Sequence, residues 1–328
     1  MDERNIDRRD FLKRSAKAGI ASAASVGGGL WLWSRNRHPR RESSAVQIRD
    51  YRVTSGAPAP AMVVISGGEP AQLVAEAVKA LGGISAFISR GDVVVLKPNI
   101  GWDRVPQQAA NTNPEIVRKV AELCLEAGAG KVVVTDVSCN DPRRCFRRSG
   151  IANSAESVGA TVLLPEERKF RDYRLNGELL SVWPIFIPIV EADKVINLPI
   201  VKHHNLSRAT MGMKNWYGIL GGRRNQLHQN IDISIADLAT FIRPTLTIMD
   251  AYRVLMTNGP QGGNLNDVKL MKTVVAGTDP VAVDAYGATL LGLRPEQIPY
   301  IMIAHERGLG SKNYEELAVR QIELAQRM

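Results

Sequence analysis

One stretch of the chain is dense in groups that bind anions or move protons: VKHHNLSRATMGMKNWYGILGG, residues 201–222. Imidazole titrates nearest neutral pH and suits general acid–base work, while ammonium groups suit carboxylate or phosphate. Side chains alternate in direction along an extended segment, so only one of His203 and His204 can face a site; His204 is the candidate. With Ser207 as a helix cap, Met211, Lys214, Asn215 and Gly218 recur at helical spacing on one stripe. Met213, Trp216 and Leu220 then form a separate apolar face. Gly218, one turn beyond Lys214, leaves room for a ligand or another backbone.

Similar groups close four apolar runs. VVVLKPN ends in Lys97 and Asn99, KVVVTD in Asp136, KVINLPIVKHH in Lys202, His203 and His204, and TLTIMD in Asp250. Ligands of open α/β sheets bind in the crevice beyond the carboxyl ends of the strands, so these endings predict one cleft. His204, Lys214 and Asp136 are the candidate catalytic groups. Lys97, Asn99, Lys202 and Asn215 are the candidate substrate contacts. Asp136 and Asp250 are candidate ligands of a divalent metal. The loop TNGPQGGN, residues 257–264, adds Asn258 and Gly259 as amides that can cradle an anion, with a plain surface turn as the alternative. Neither a P-loop nor a GxGxxG dinucleotide fingerprint is present.

The elements that must position these groups alternate. AMVVIS (61–66), DVVVLKP (92–98), KVVVTD (131–136), TVLLP, KVINLPIV (194–201), TLTIMD (245–250) and LMKTVVAG read as strands. Helical patterns lie between them. In NPEIVRKVAELCLEAGAG, Pro114 suits the first turn and Gly128 the stop, and in DPVAVDAYGATLLG Asp279 suits the cap. An Arg-rich loop precedes a helix near 150–159, Asn176–Gly177 marks a hairpin, and helices from about 295 end the chain. This is an α/β protein: a mixed, largely parallel sheet flanked by helices, with a cleft at the strand carboxyl ends. It divides into a targeting segment at 1–33, a linker at 34–60 and an α/β domain at 61–328, with lobes 61–200 and 201–328 as an alternative within it.

The chain has 328 residues and a net charge of +9. Residues 1–41 carry +6 of that charge, leaving a body too weakly basic to bind nucleic acid. The segment DRRDFLKRSAKAGIASAASVGGGLWLW is similar to a twin-arginine export signal, with Arg8–Arg9 and Phe11–Leu12–Lys13 in the motif positions and Asp7 as its departure. That resemblance implies passage through the twin-arginine translocase to a periplasmic or other extracytoplasmic location. The product is soluble after cleavage or held peripherally at a membrane by residues 18–33, a run too short to span comfortably. Cys124 fits a helix core; Cys139 and Cys145 can pair or remain thiols. No cysteine spacing fits an iron–sulfur or zinc site.

Together these motifs resemble a family catalogued as domain of unknown function 362, over roughly residues 60–295. The resemblance rests on Lys-Pro-Asn at 97–99, Lys202 with His204, Lys214–Asn215–Gly218, Asp250, Asn258–Gly259–Pro260, and Asp279 with Asp284. Thr257 stands where the loop of that family begins with Gly. The order of motifs is also similar to a lactate racemase-like architecture, whose nickel cofactor is not carried over. The functional expectation is an exported protein with a polar cleft for a small anionic ligand, working as an acid–base enzyme with a divalent metal as a candidate cofactor. The alternative is a non-catalytic binding protein or a maturation or redox accessory.

Overall fold

A computed structural model describes Arg9 and residues 48–53 and 60–325. The export-signal and membrane-association expectations, and most of the linker, lie outside the described residues. Among the described residues no helix is long and apolar enough to cross a membrane.

The first half runs β1 (Met62–Ser66), α1 (Pro70–Ala80), β2 (Val93–Pro98), α2 (Pro114–Glu126), β3 (Lys131–Val134), α3 (Pro142–Arg148), α4 (Ile151–Glu156) and β4 (Thr161–Val162). A hairpin of β5 (Phe170–Arg174) and β6 (Val182–Phe186) and one helical turn, α5 (Ile187–Val190), follow. Then come β7 (Lys194–Leu198), β8 (Ile200–His204), β9 (Arg208–Thr210), a 3-10 helix (Lys214–Ile219), α6 (Ile231–Phe241), β10 (Leu246–Leu255) and β11 (Val268–Gly277). The chain finishes with α7 (Pro280–Leu290), α8 (Pro299–Glu306) and β12 (Val319–Glu323).

Ten strands form one sheet in the order β12-β1-β11-β10-β7-β2-β3-β4, with β8 pairing β10 and β9. Pairing is parallel throughout except at β1–β11, β10–β11 and β8–β9. The α/β architecture with a mixed, largely parallel sheet therefore holds. The two halves interleave: β1 sits between β12 and β11, so strands from residues 61–200 and 201–328 share one sheet.

Alternation along the strands divides the core. Val94 and Leu96 face one apolar layer with Val63, Ile65, Ile196 and Leu198; Val95 and Val195 face the other. Helix α2 seals the first layer with Ile116, Val117, Val120, Ala121 and Cys124, each large aliphatic being worth about 1.5–3 kcal/mol when fully buried. Asn113 caps α2 through Glu115 N–H, and Asp279 caps α7 through Val281 and Ala282 N–H.

Three local expectations change, and the hairpin holds with an added anchor. The Arg-rich segment is helix α3, because Asp141 caps it and Pro142 opens it while Cys145 and Phe146 turn inward. The hairpin loop at Asn176–Gly177 is held from outside: the Asp237 carboxylate accepts N–H bonds from Glu178, Leu179 and Leu180. Ser207 caps no helix; the chain first forms β9, antiparallel to β8, and the helix that carries Lys214 is a short 3-10 segment. The last helix is followed by β12, which joins the sheet parallel to β1. All three cysteines are free thiols, with Cys124 and Cys145 buried and Cys139 exposed.

Candidate functional site

Strands β2, β7 and β10 run parallel, so their carboxyl ends meet one edge of the sheet. Val95 points into an apolar layer, and two residues on Lys97 points the same way, into the place where that layer ends. Asn197 lies beside Lys97 in register on β7.

Lys97 is fully buried, and its ammonium donates to Pro98 O at 2.8 Å and to Asn215 Oδ1 at 3.1 Å. It also meets Asp136 Oδ1 at 2.7 Å. That last contact is an ion pair without hydrogen-bond alignment. The other carboxylate oxygen accepts Ile100 N–H at 2.6 Å. Burial pulls the Lys97 pKa down, and Asp136 opposes that shift. Asn215 is saturated as well: Oδ1 accepts from Lys97 and Asn99, and Nδ2 donates to Lys97 O and Asn197 Oδ1. Asn197 in turn donates to Gly212 O. Gly218 is required by closeness, since a Cβ there would lie 1.8 Å from Asp136 Oδ1.

Above this node opens a cavity of about 320 Å³ lined by Lys202, His204, Lys214, Asn99, Asp136 and Asn215. Tyr217, Arg224, His228, Cys139 and Trp102 complete its polar and aromatic wall. Lys202 donates to Asn99 Oδ1 at 3.0 Å and to Ala110 O at 2.5 Å. Lys214 sits with its ammonium 3.2 Å from the centroid of the Tyr217 ring. Burial lowers the pKa of both Lys202 and Lys214 to about 7. Arg224 spans three backbone carbonyls, those of Val137, Tyr217 and Ser138, and clamps the loop after β3 to the 3-10 helix.

His204 faces the cavity, and His203 does not. His204 Nδ1 accepts backbone N–H from Leu206 and Ser207, which places the proton of the neutral ring on Nε2. Burial, then the charge of Lys214, lowers its pKa to about 3. A neutral imidazole near pH 7 is a hydrogen-bond donor there, not the titrating acid–base group expected from the sequence. His203 Nδ1 accepts Gly259 N–H at 3.1 Å and so fixes the glycine-rich loop.

Of the residues expected at the site, Lys97, Asn99, Asp136, Lys202, His204, Lys214 and Asn215 come together. Asp250, Asn258 and Gly259 do not. Asp250 is fully enclosed, accepts N–H from Asn113 and Tyr252, and is raised to about 6 by burial; it anchors the start of α2. Asn258 donates to both oxygens of Asp267, and Gly259 lies against His203 O, where a Cβ would approach to 1.9 Å. Pro260 alone from that loop reaches the cavity wall. The Thr257 departure is absorbed by a hydroxyl bond to Asp267. Asp284, raised to about 7 by burial, accepts N–H from Gly212 and Met213 and orients the turn before Lys214.

The donor set does not fit a divalent metal. Asp136 is committed to Lys97, Asp250 lies elsewhere, and no group of three or more His, Cys, Asp or Glu among the described residues is arranged around a cation. Tyr217, Arg224, His228 and Asn197 were not singled out from the sequence. Tyr217, three residues after Lys214, carried the readable signal, because one turn separates them.

The sequence profile of a family described as domain of unknown function (DUF362) matches residues 94–289. The chain is similar to "Thylakoid-associated protein sll1697" of Synechocystis sp., 29% identical over 235 residues, which cover 69% of this chain and 71% of that protein. Among solved structures it is similar to a Thermotoga maritima structural-genomics protein, with 11% identity, TM-score 0.39, and coverage of 72% of this chain and 58% of that one. It is also similar to a lactate racemase apoprotein from Thermoanaerobacterium thermosaccharolyticum, with 10% identity, TM-score 0.35, and coverage of 69% and 55%. The chain thus spans a little over half the length of both solved structures.

Proposed function

Because the chain belongs to the DUF362 family, a domain of unknown function, we propose its activity from the cleft alone: it binds a small carboxylate or phosphate, with Lys214 as the group that exchanges a proton with the ligand. One observation carries this reading. Lys202, Lys214 and Arg224 line a cavity whose carboxylate among the described residues, Asp136, is already paired with Lys97. Lys202 and Lys214 are buried there without a free counter-charge, which disfavours their charged forms, and an incoming anion relieves that imbalance.

The roles follow from geometry. Lys202 is oriented by Asn99 and Ala110 O and presents charge; Lys214 has an aromatic face beneath it and an open cavity ahead. His204 donates from Nε2. Lys97, Asp136 and Asn215 support the floor instead of touching ligand. A bound anion raises the pKa of both lysines, so binding draws protons from solution near neutral pH.

Calorimetry with phosphate and with malonate at pH 7.5, in buffers of different ionisation enthalpy, tests this. Saturable binding with net proton uptake is expected, weakened at least tenfold in a Lys202→Met/Lys214→Met protein. Equal affinity in the two proteins removes the proposal. Export belongs to the same reading, supported by Arg8–Arg9 and the apolar run that follows; fractionation of cells making the intact chain and an Arg8→Lys/Arg9→Lys variant tests it. Accumulation of both outside the cytoplasm counts against it.

A further inference from the structure

The three lysines at the cleft differ in what holds their nitrogen. Lys97 has three oxygen partners and Lys202 has two, all protein atoms. Lys214 is 6% exposed, and its nitrogen rests on the π-face of Tyr217 beside the cavity. Protein oxygens that accept from Lys97 and Lys202 hold those N–H bonds toward the protein, which fixes the direction of the nitrogen. A ring face does not do so once the proton is lost.

We propose that Lys214 is a covalent site, its amine condensing with the carbonyl carbon of a small 2-oxo acid whose carboxylate is held by Lys202. This rests on the anion-binding reading and names its ligand class. In the step, the Nζ lone pair forms a C–N bond as the carbonyl π pair moves to oxygen. Both amine protons leave with that oxygen as water, and the product is an imine that takes one proton from solvent to become an iminium. No oxidant or reductant is consumed.

The surroundings favour this step at neutral pH. Charged and titratable groups facing Lys214 are Lys202 and His204 from β8, Cys139 after β3, Arg224 and His228 after the 3-10 helix, and Asp232 of α6. Burial, with Arg224 and Lys202 adding to it, holds the Lys214 amine at about 7. At pH 7 its neutral fraction exceeds that of an ordinary exposed lysine by roughly a thousandfold. A lysine desolvated next to another cation is a recognised route to an imine-forming nucleophile. The cavity volume of about 320 Å³ admits a small acid.

The test is reductive trapping on the full chain: pyruvate or glyoxylate with cyanoborohydride at pH 7, followed by peptide mapping. The adduct is expected at Lys214, at least about tenfold above any other lysine, and absent from Lys214→Arg. Adducts spread evenly over the lysines, or persisting in that variant on a neighbouring residue, overturn the proposal. Malonate, which carries carboxylates but no ketone or aldehyde, separates the two readings by calorimetry. Malonate binding without a trapped adduct overturns the imine and leaves the anion site standing; neither binding nor adduct overturns both.

Discussion

Lys97 and Lys214 carry the same charge, are both buried, and lie at the same cleft, yet their environments are opposite. Lys97 is surrounded by acceptors: a carboxylate, a carbonyl and an amide oxygen. Lys214 has a tyrosine ring and open space. Burial of charge alone therefore does not identify a functional group. What separates the two is whether the protein itself completes the coordination of the ammonium. Where it does, the lysine is part of the frame; where it does not, the ammonium is left open, which is the basis of the ligand proposed for Lys214.

The comparison is broken most easily from the frame side. Lys97→Met leaves the Asp136 carboxylate buried without its cation and strips one donor from Asn215. Unpaired buried charge costs about 3–5 kcal/mol. Urea denaturation should show this loss, and a change under about 1 kcal/mol would place Lys97 with Lys214 instead. Gly218→Ala is next: the new Cβ overlaps Asp136 Oδ1, an atom held by the ion pair, and overpacking of this kind costs about 1–3 kcal/mol. The same denaturation curve reads it, and an unchanged midpoint would show that the pair can move aside.

This division explains what the sequence revealed. The strands and their polar endings were legible because continuous apolar runs give way to polar groups in the last residues of the strand, as at Leu96 followed by Lys97 in β2. Lys202, His204 and Lys214 were legible by residue type. Their separation into frame and cleft was not, because it depends on partners distant in the chain: Asn197, Asp136 and Arg224 meet Asn215, Ile100 and Val137, which lie 18, 36 and 87 positions away. Asp250 misled because its run ends in the same pattern as the others. It looked like a strand ending, but β10 continues to Leu255, so Asp250 lies mid-strand and its carboxylate accepts the N–H of Asn113 at the start of α2. Ser207 misled through helix-cap chemistry, which a β-strand pairing overrode.

From the cleft side the prediction reverses sign. Lys214→Met keeps the buried methylene volume and removes an ammonium that burial disfavours. It also loses the contact with the Tyr217 ring, worth about 1–2 kcal/mol when desolvated. Stability without ligand should be unchanged or higher by about 1 kcal/mol, while anion binding falls. Destabilisation comparable to Lys97→Met would mean that Lys214 too belongs to the frame.

The smallest signal is the sharpest discriminator, because it reads protonation and not packing. In the unfolded chain a lysine titrates near 10.4, whereas Lys202 and Lys214 in the fold titrate at about 7. Between those values the unfolded chain binds more protons than the native one, so stability must rise with pH. Lys97, shifted in the same direction by burial, adds to the slope. Below about pH 7 these lysines bind protons in both states and the slope from them vanishes. There Asp250 and Asp284, raised to about 6 and 7, take over with the opposite sign, stabilising the fold as pH falls toward their unfolded values. Melting temperature between pH 7.5 and 9.5 should therefore climb, and climb less steeply in Lys214→Met, while Lys214→Arg, which keeps a charge that cannot be shed, should lose the same share of slope. Malonate at saturation should flatten the wild-type curve from the low-pH end, since it restores the protonated lysines. An identical slope in wild type and Lys214→Met would show that Lys214 keeps its proton throughout, as an ammonium with a partner of its own would.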